Sequence, residues 1–594
     1  MSERITISKV VVAVLVIISF FFLKWLILPV ASIGYASSFI FYGIYLALII
    51  AAIALFVGED NETGFTYAGT TALIGIVAVI VIVGICSIIG SGLFNSTTKY
   101  SQLGKITEKA YTSEISPIDL KQVPYIDVEL AKKLGDKKLG EDAALGSQVN
   151  LGVFTKQQVN GELVLVAPLV HAGFFKYSDN KDGTLGYIVI SASNTQDVKL
   201  VREIDGKPIK IKYQEEAFFS EDLKRHVRSQ GFTTEGLTDF SFELDDQGYP
   251  YWVITTFKNT TLFGTREATG TIVVDAMTGK CDKYSISDSP KWVDIIQPIQ
   301  FVQKQISNFG EYVHGVFNFS NKDKIKATEG MNTIYNDGGC YYYTGLTSYG
   351  SDDATIGFLL VNTRTKESIK YTLNGAQETS AMRSAEGKVQ NLGYKATYPL
   401  PVNIDGVPTY FTTLKDAEGL IKMYAFVNIM DYSTVGVGDS ILEAKKNYSS
   451  TYLNAGNKFA FSDEAFKYSL EGKIDRIAFK VEDGSTMYTF SIEGKDILFI
   501  APSTLTEELT ITQKGDTVKI AYVDEKNLNV TVIEFDNLLI TTRKSNDQTE
   551  KENKIDSVKQ EDTKVTPVDS DSIKTEWDKL TDEEKAKLLE QNKK

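Results

Sequence analysis

From Val10 to Phe94 the chain is almost continuously apolar, whereas beyond it apolar residues come in short runs broken by Gly, Asp and Asn. A helix needs about 20 apolar residues to cross a hydrocarbon core about 30 Å thick. The first region therefore predicts three membrane spans, at about 10–30, 39–57 and 68–91. Lys24 lies near one end of the first span, where its ammonium can snorkel to the interface. The loop GEDNETGF between the last two spans is too polar to remain in lipid. No small-residue cleavage site is followed by soluble sequence, so the first span reads as an anchor and not as a cleaved leader. Flanking cations divide: Arg4 and Lys9 stand on one side, and Lys24, Lys99, Lys105 and Lys109 on the other.

After a polar stalk, 96–123, the pattern becomes strand and turn, and its order occurs twice. One copy falls in 124–320 and holds HAGFFKYSDNKDGTLGYIVISASNTQDVKLV, a helix, SFELDDQGYPYWVITTF and TIVVDAMTGKCDKY. The other falls in 321–450 and holds DGGCYYYTGLTSYGSDDATIGFLLVNTRTKESIKY, a helical segment, TYPLPVNIDGVPTYFTTL and IKMYAFVNIMDYSTVGVG. Gly186-Tyr187 pairs with Gly357-Phe358, Gly248-x-Pro250 with Gly406-x-Pro408, and Val274-Asp275 with Val427-Asn428. In the first copy Ser220 is the expected helix cap, and Phe219, Leu223 and Val227 form a stripe facing a sheet. His226 reads as a solvated residue between these positions. A second amphipathic helix is expected after Pro290, with Ile295, Ile299, Val302 and Ile306 buried, and His314 beyond it reads as packing.

Residues 451–540 hold about five short strands separated by Asp-Gly, Gly-Lys and Gly-Asp turns, which predict a small antiparallel barrel or sandwich. The acidic tail, 541–594, has almost no large apolar residue before 573 and reads as a flexible linker. It ends in a candidate helix, 576–591, where Thr581 and Glu584 can form a capping box. Trp577, Leu580, Leu588 and Leu589 on that helix are the candidate partner-binding residues. The fold class expected is α+β: N-terminal transmembrane helices, two β-rich sheet-plus-helix modules and the small barrel.

The stretch VVDAMTGKC tests for phosphate binding. A phosphate-binding loop needs GxxxxGK followed by Ser or Thr, but Cys281 follows Lys280 and no glycine stands five residues before Gly279. The apolar run before the turn and the return toward Tyr284 predict a hairpin instead. With Gly248, Pro250, Trp252, Val273, Val274, Asp275, Thr278, Gly279 and Lys280, this segment resembles the PepSY-type modules of bacterial propeptides and membrane-anchored regulators. The match is close over 210–290 and looser over 376–435, where Asn428 replaces the Asp and Thr-Gly-Lys is absent. The resemblance implies an extracytoplasmic, mostly non-catalytic module of a kind that can regulate peptidases. GDTVKIAYV followed by VTVIEF is similar to the last two strands of an OB-type barrel.

Composition narrows the reading further. A formal charge of −14 opposes non-specific binding to nucleic acid, which depends on a positive field. With three histidines and three cysteines there is no HExxH, GxSxG, Walker loop or metal-binding Cys pattern, so neither cofactor nor metal nor catalytic activity is expected. Cys281 and Cys340 leave one disulfide open as an alternative. The expected function is a membrane-anchored regulatory or binding protein of the cell envelope, its protein partner unknown. The alternative is a scaffold that assembles a complex through its barrel and C-terminal peptide. The resemblance favours an extracytoplasmic body over a cytoplasmic one.

Overall fold

The computed structural model describes residues 2–58, 61–111, 124–336, 339–350, 354–455, 457, 467–482, 485–503, 505–523 and 529–540. Three helices are long and apolar enough to cross a membrane: α1 (Ser2–Ile27), α2 (Ala36–Ala54) and α3 (Asn61–Ile89). The first ends at Ile27 because Pro29 follows; a residue before proline is driven out of the helical region. Helices α2 and α3 approach closely through small residues. A Cβ on Gly75 would lie 2.4 Å from that of Ala47, and one on Gly43 would lie 2.8 Å from Val79. At one end of the bundle the Lys9 ammonium donates to the Gly58 carbonyl at 2.9 Å. The opposite end meets the body.

Among the described residues the body is built from four larger, mainly antiparallel sheets and a two-stranded ribbon at Glu203–Ile204 and Lys207–Pro208, followed by a barrel. Sheet I spans 149–201, sheet II 236–285, sheet III 325–376 and sheet IV 395–438. Sheet III gains an extra edge strand, Ile106–Ala110, which pairs parallel with Ser368–Ala376. The same plan recurs in each sheet. A first strand, broken into two pieces in sheets I, III and IV and bulged at Asp239 in sheet II, leads through a turn into a long second strand. The second strands are largely buried on both faces, Val407–Lys415 throughout, because each is covered from both sides.

The third strands end in a side chain that holds the next turn. Asp275 Oδ1 accepts from the N–H groups of Met277 and Thr278; Asn362 Oδ1 from those of Arg364 and Thr365; Asn428 Oδ1 from those of Met430 and Asp431. In sheet I the shorter Ser191 hydroxyl accepts from Ser193 N–H. The same order of four strands and side-chain-held turn thus recurs in each of the four sheets. Residues 275–280 are a turn closed by Asp275 N–H on the Lys280 carbonyl at 2.9 Å.

Each sheet packs on the next. Val166 and Tyr187 of sheet I share a core with Phe242, Trp252 and Ile254 of sheet II and with Leu223 and Val227 of the helix Leu223–Ser229. The segment 293–297 and the helix Ile299–Glu311 fill the space between sheets II and III. Sheets III and IV share Tyr343, Phe358, Tyr410 and Val427 around the helix Glu378–Lys388. Leu420 and Ile421 of sheet IV return to the core between sheet I and the helix Val128–Gly140, closing a ring. Radial stacking of this kind leaves only short sheet edges.

Two helical expectations change. The helix in the first half begins at Leu223, with Asp222 as its cap, after a single turn at Phe219–Glu221. Phe219 stands outside the buried stripe, 56% exposed. The helix expected after Pro290 starts at Ile299, because Pro298 fits at a helix entry but not within a turn that needs its N–H. Residues 467–537 form a closed barrel of five strands; all neighbours are antiparallel except Leu498–Pro502 with Asn529–Asn537. Its core holds Phe490, Phe499 and Ile520.

Candidate functional site

The first strands of the sheets face one another at the centre of the ring and carry its most unusual chemistry. In sheet I the strand Thr155–Val159 alternates, so Gln157 turns inward and is buried. Its Oε1 accepts from Leu244 N–H of sheet II at 3.1 Å. The hydroxyl of Tyr335, on the first strand of sheet III, donates to the Lys156 carbonyl at 3.1 Å and approaches Asp294 Oδ2 at 3.4 Å. Asp294 lies on the connection between sheets II and III, and its Oδ2 also accepts from Gln158 N–H at 2.6 Å. Sheets I and III therefore meet around the carboxylate of the connector, and Gln157 ties sheet II to the same strand.

Burial dominates the electrostatics there. The Glu243 carboxyl, 1% exposed on the strand Gly236–Leu244, is pushed up to about 8, with the charges of Asp294 and Asp239 adding to the effect. Its Oε1 accepts from the Ser241 hydroxyl at 2.7 Å, and its Oε2 has no hydrogen-bond partner in the structure. Asp294 is raised to about 6 by burial, against the hydrogen bonds from Gln158 and Tyr335. Burial pulls the Lys156 ammonium down, opposed by Asp127 and Cys340. The Cys340 thiol is pushed up to about 12, which leaves it protonated and unreactive.

Arg364 supplies the opposing charge. Its guanidinium donates to the carbonyls of Ser289 (2.9 Å), Pro290 (2.8 Å) and Val293, tying the connector to the turn of sheet III. Chemically, the centre holds two carboxyls that exchange protons near neutrality beside a fixed cation. No group of three or more His, Cys, Asp or Glu suited to a metal ion occurs among the described residues. A cleft of about 250 Å³ opens between sheets I and II, lined by Asn160, Tyr187, Lys199 and Gly248.

The second feature is the junction with the anchor. Tyr35, just before α2, donates its hydroxyl to the Phe257 carbonyl at 2.6 Å and accepts from Gly236 N–H at 2.8 Å. Ala31 N–H donates to the Thr233 carbonyl at 2.7 Å, and Asn259 Nδ2 to that of Gly34 at 2.8 Å. The Arg225 guanidinium lies 4.0 Å from the centre of the Trp25 ring. Past α3, Tyr312 packs over Gly92, and Tyr100 stacks on Phe309 at 5.0 Å.

Trp577, Leu580, Leu588 and Leu589, the partner-binding candidates, lie outside the described residues. The two histidines weighed from sequence exchange characters. His226 is buried, with Nε2 2.7 Å from the Gly279 carbonyl and its ring 4.1 Å from that of Tyr213. His314 is exposed and lies 2.8 Å from Asp323. Cys281 and Cys340 are free thiols. Glu243 and Asp294 did not stand out in the sequence. Glu243 alternates with Phe242 and Leu244 as a solvent-facing strand residue would, and only the packing of sheets I and III against sheet II removes it from water.

No protein-family model matches the chain, and no curated protein matches it. Solved structures that align include a Bombyx mori GH32 β-fructofuranosidase, at 11% identity over 69% of this chain and 70% of that one, with a TM-score of 0.17. A B. megaterium levansucrase mutant aligns at 10% identity over 74% and 93% of the two chains, with a TM-score of 0.16. An ancestral GH74 enzyme aligns at 9% over 58% and 41%, with a TM-score of 0.15. Scores at this level do not establish a shared fold.

Proposed function

We propose that this protein is a membrane-anchored, non-catalytic binding or regulatory protein of the cell envelope, whose ring of sheets recognises a protein partner at the membrane surface. The observation that carries this reading is the junction at Tyr35, where one hydroxyl joins the anchor to two strands of sheet II. A flexible tether would let the body sample space freely; contacts from residues 31–35, 90–92 and 100 hold it in one orientation against the bilayer. A fixed orientation serves recognition of another membrane-bound assembly, because it removes rotational freedom before binding.

The PepSY-type resemblance supports a peptidase or cell-wall machine as the partner class and an extracytoplasmic body. The cations flanking the spans weigh mildly the other way, with Lys24, Lys99, Lys105 and Lys109 at the body's end of the bundle and Arg4 and Lys9 at the opposite end. The closed five-stranded barrel, with the short helix Glu508–Ile511 before its last two strands, supports the OB-type reading of 467–537. The alternative, a scaffold acting through its C-terminal peptide, makes a different prediction for a chain lacking 541–594. Affinity purification from membranes with full-length and truncated protein is the test: a regulator working through the ring keeps its partners after truncation. Loss of every partner on truncation overturns that reading in favour of the scaffold.

A further inference from the structure

We infer that the body itself enters the interfacial layer of the membrane its helices cross, through two exposed aromatic patches that flank the anchor. In the first patch Phe174, Phe175 and Phe219 are all exposed, Phe175 to 81%. Phe174 lies edge-on to Phe218 at 5.2 Å and near Phe219 at 6.2 Å, so the rings form one surface. Phe219 has a φ of 57°, a left-handed conformation that disfavours a bulky side chain. The patch leads directly into the helix Leu223–Ser229, whose Arg225 stacks on Trp25 at the end of α1.

The second patch is Phe317 and Phe319, 72% and 83% exposed, with ring centres 6.0 Å apart. It follows the helix Ile299–Glu311, which meets the short helix Gly92–Tyr100 just past α3 through Phe309 on Tyr100, with Tyr312 at its end over Gly92. A groove of about 650 Å³ opens beside Phe319, and in it the Lys324 ammonium lies 5.4 Å from the centre of the Tyr349 ring. Each patch is thus only a few residues from a contact with the end of a span. Exposed aromatic groups of this size mark interaction surfaces, and aromatic side chains concentrate where hydrocarbon meets headgroups.

Position, more than charge, selects the membrane over a protein as the occupant. Near the first patch the charges are mixed: Lys224 stands among Glu215, Glu216, Glu221 and Asp222, and Arg228 is buried, donating to the Phe232 and Glu235 carbonyls. Lys99 and Lys304 face each other where the helix Ile299–Glu311 meets the segment after α3, offset in part by Glu311, and anionic headgroups at that depth complement this pair. The continuity of both patches with the helix ends fixes the same bilayer as their partner.

The test uses the full chain with Trp25→Phe, carrying either Phe175→Trp or Phe319→Trp, in nanodiscs of phosphatidylcholine and phosphatidylglycerol with brominated acyl chains. Both replacements are aromatic for aromatic at exposed positions, and circular dichroism verifies the fold. Bromine quenches only indoles that reach the acyl boundary, so each introduced tryptophan is expected to lose roughly half its emission relative to unbrominated discs. Trp252, Trp292 and Trp577 remain in every variant, so the Trp25→Phe chain with no added tryptophan, in the same brominated and unbrominated discs, sets the background. Emission at 175 and 319 unchanged by bromination overturns the inference, as does equal quenching of a tryptophan introduced at Phe479, an exposed position on the barrel.

Discussion

Glu243 shows how far a single side chain departs from its ordinary chemistry in this ring. Its carboxyl binds a proton up to about pH 8 in the folded protein, against an ordinary value of 4.5. The folded state therefore holds more protons than the unfolded chain between those limits, and stability falls as pH rises through them. The stabilisation is fully present below about 4.5 and is lost above about 8. Asp294 acts in the same direction between 3.8 and about 6. Replacement Glu243→Gln removes the larger part of this dependence. Thermal unfolding from pH 5 to 9 is expected to show a marked decline for the native chain and a flatter profile for the variant, which is more stable by about 3–5 kcal/mol at pH 9. Parallel profiles would show that Glu243 is not the titrating group. Little of this was legible in the sequence: a Glu between Phe242 and Leu244 matches an edge-strand pattern, and what buries it lies far along the chain. His226 misled for the same reason, since the Gly279 carbonyl it meets lies 53 residues on, in the turn after Asp275; His314 meets Asp323 only nine residues on, but at an exposed position.

At the level of elements, the apolar runs were readable because lipid imposes a length on a helix that no other environment requires. The turn after Asp275 was readable because its Gly and Asp serve a local geometry. Helix starts were less so: Ile295 and Ile299 continue the apolar spacing of Val302 and Ile306 backwards, but Ile295 belongs to an extended connector whose neighbour Ile296 donates its N–H to the Thr363 carbonyl at 2.9 Å. The repeat of single sheets became visible through a shared glycine. Gly186, Gly270 and Gly357 precede the residues that pair with Val201, Tyr284 and Tyr371. A Cβ on them would stand 2.0, 2.0 and 2.2 Å from the carbonyl oxygens of those partners. No real Cβ tolerates that approach, so the third and fourth strands of these sheets can close only on glycine. Gly357→Ala is expected to lower stability by roughly 2–4 kcal/mol, measured by chemical denaturation in detergent. A loss under about 0.5 kcal/mol, the size of an ordinary surface change, would show that the strands shift freely.

For the molecule as a whole, the side of the membrane that carries the ring determines which partners it can meet. Cys281 is a poor reporter of that side, because burial pushes its thiol up to about 11 and its sulfur contacts the Gly279 carbonyl. The neighbouring Lys280 side chain is 73% exposed, so Lys280→Cys provides an accessible thiol on the same turn. Labelling of that variant by an impermeant maleimide in intact cells is expected; protection until the membrane is opened would assign the ring to the cytoplasm.

The short strand Ile106–Ala110 carries a consequence for force. Among the described residues it is the last strand before residue 124, and it lies parallel to Ser368–Ala376 with Glu108 bridged to Lys370 at 3.0 Å. Tension between the bilayer and the far end of the chain would pull those two strands along their length, so their ladder bonds would have to break together instead of unzipping one by one. The chain's path from the ring to its anchor is thereby clamped in the geometry that resists pulling best.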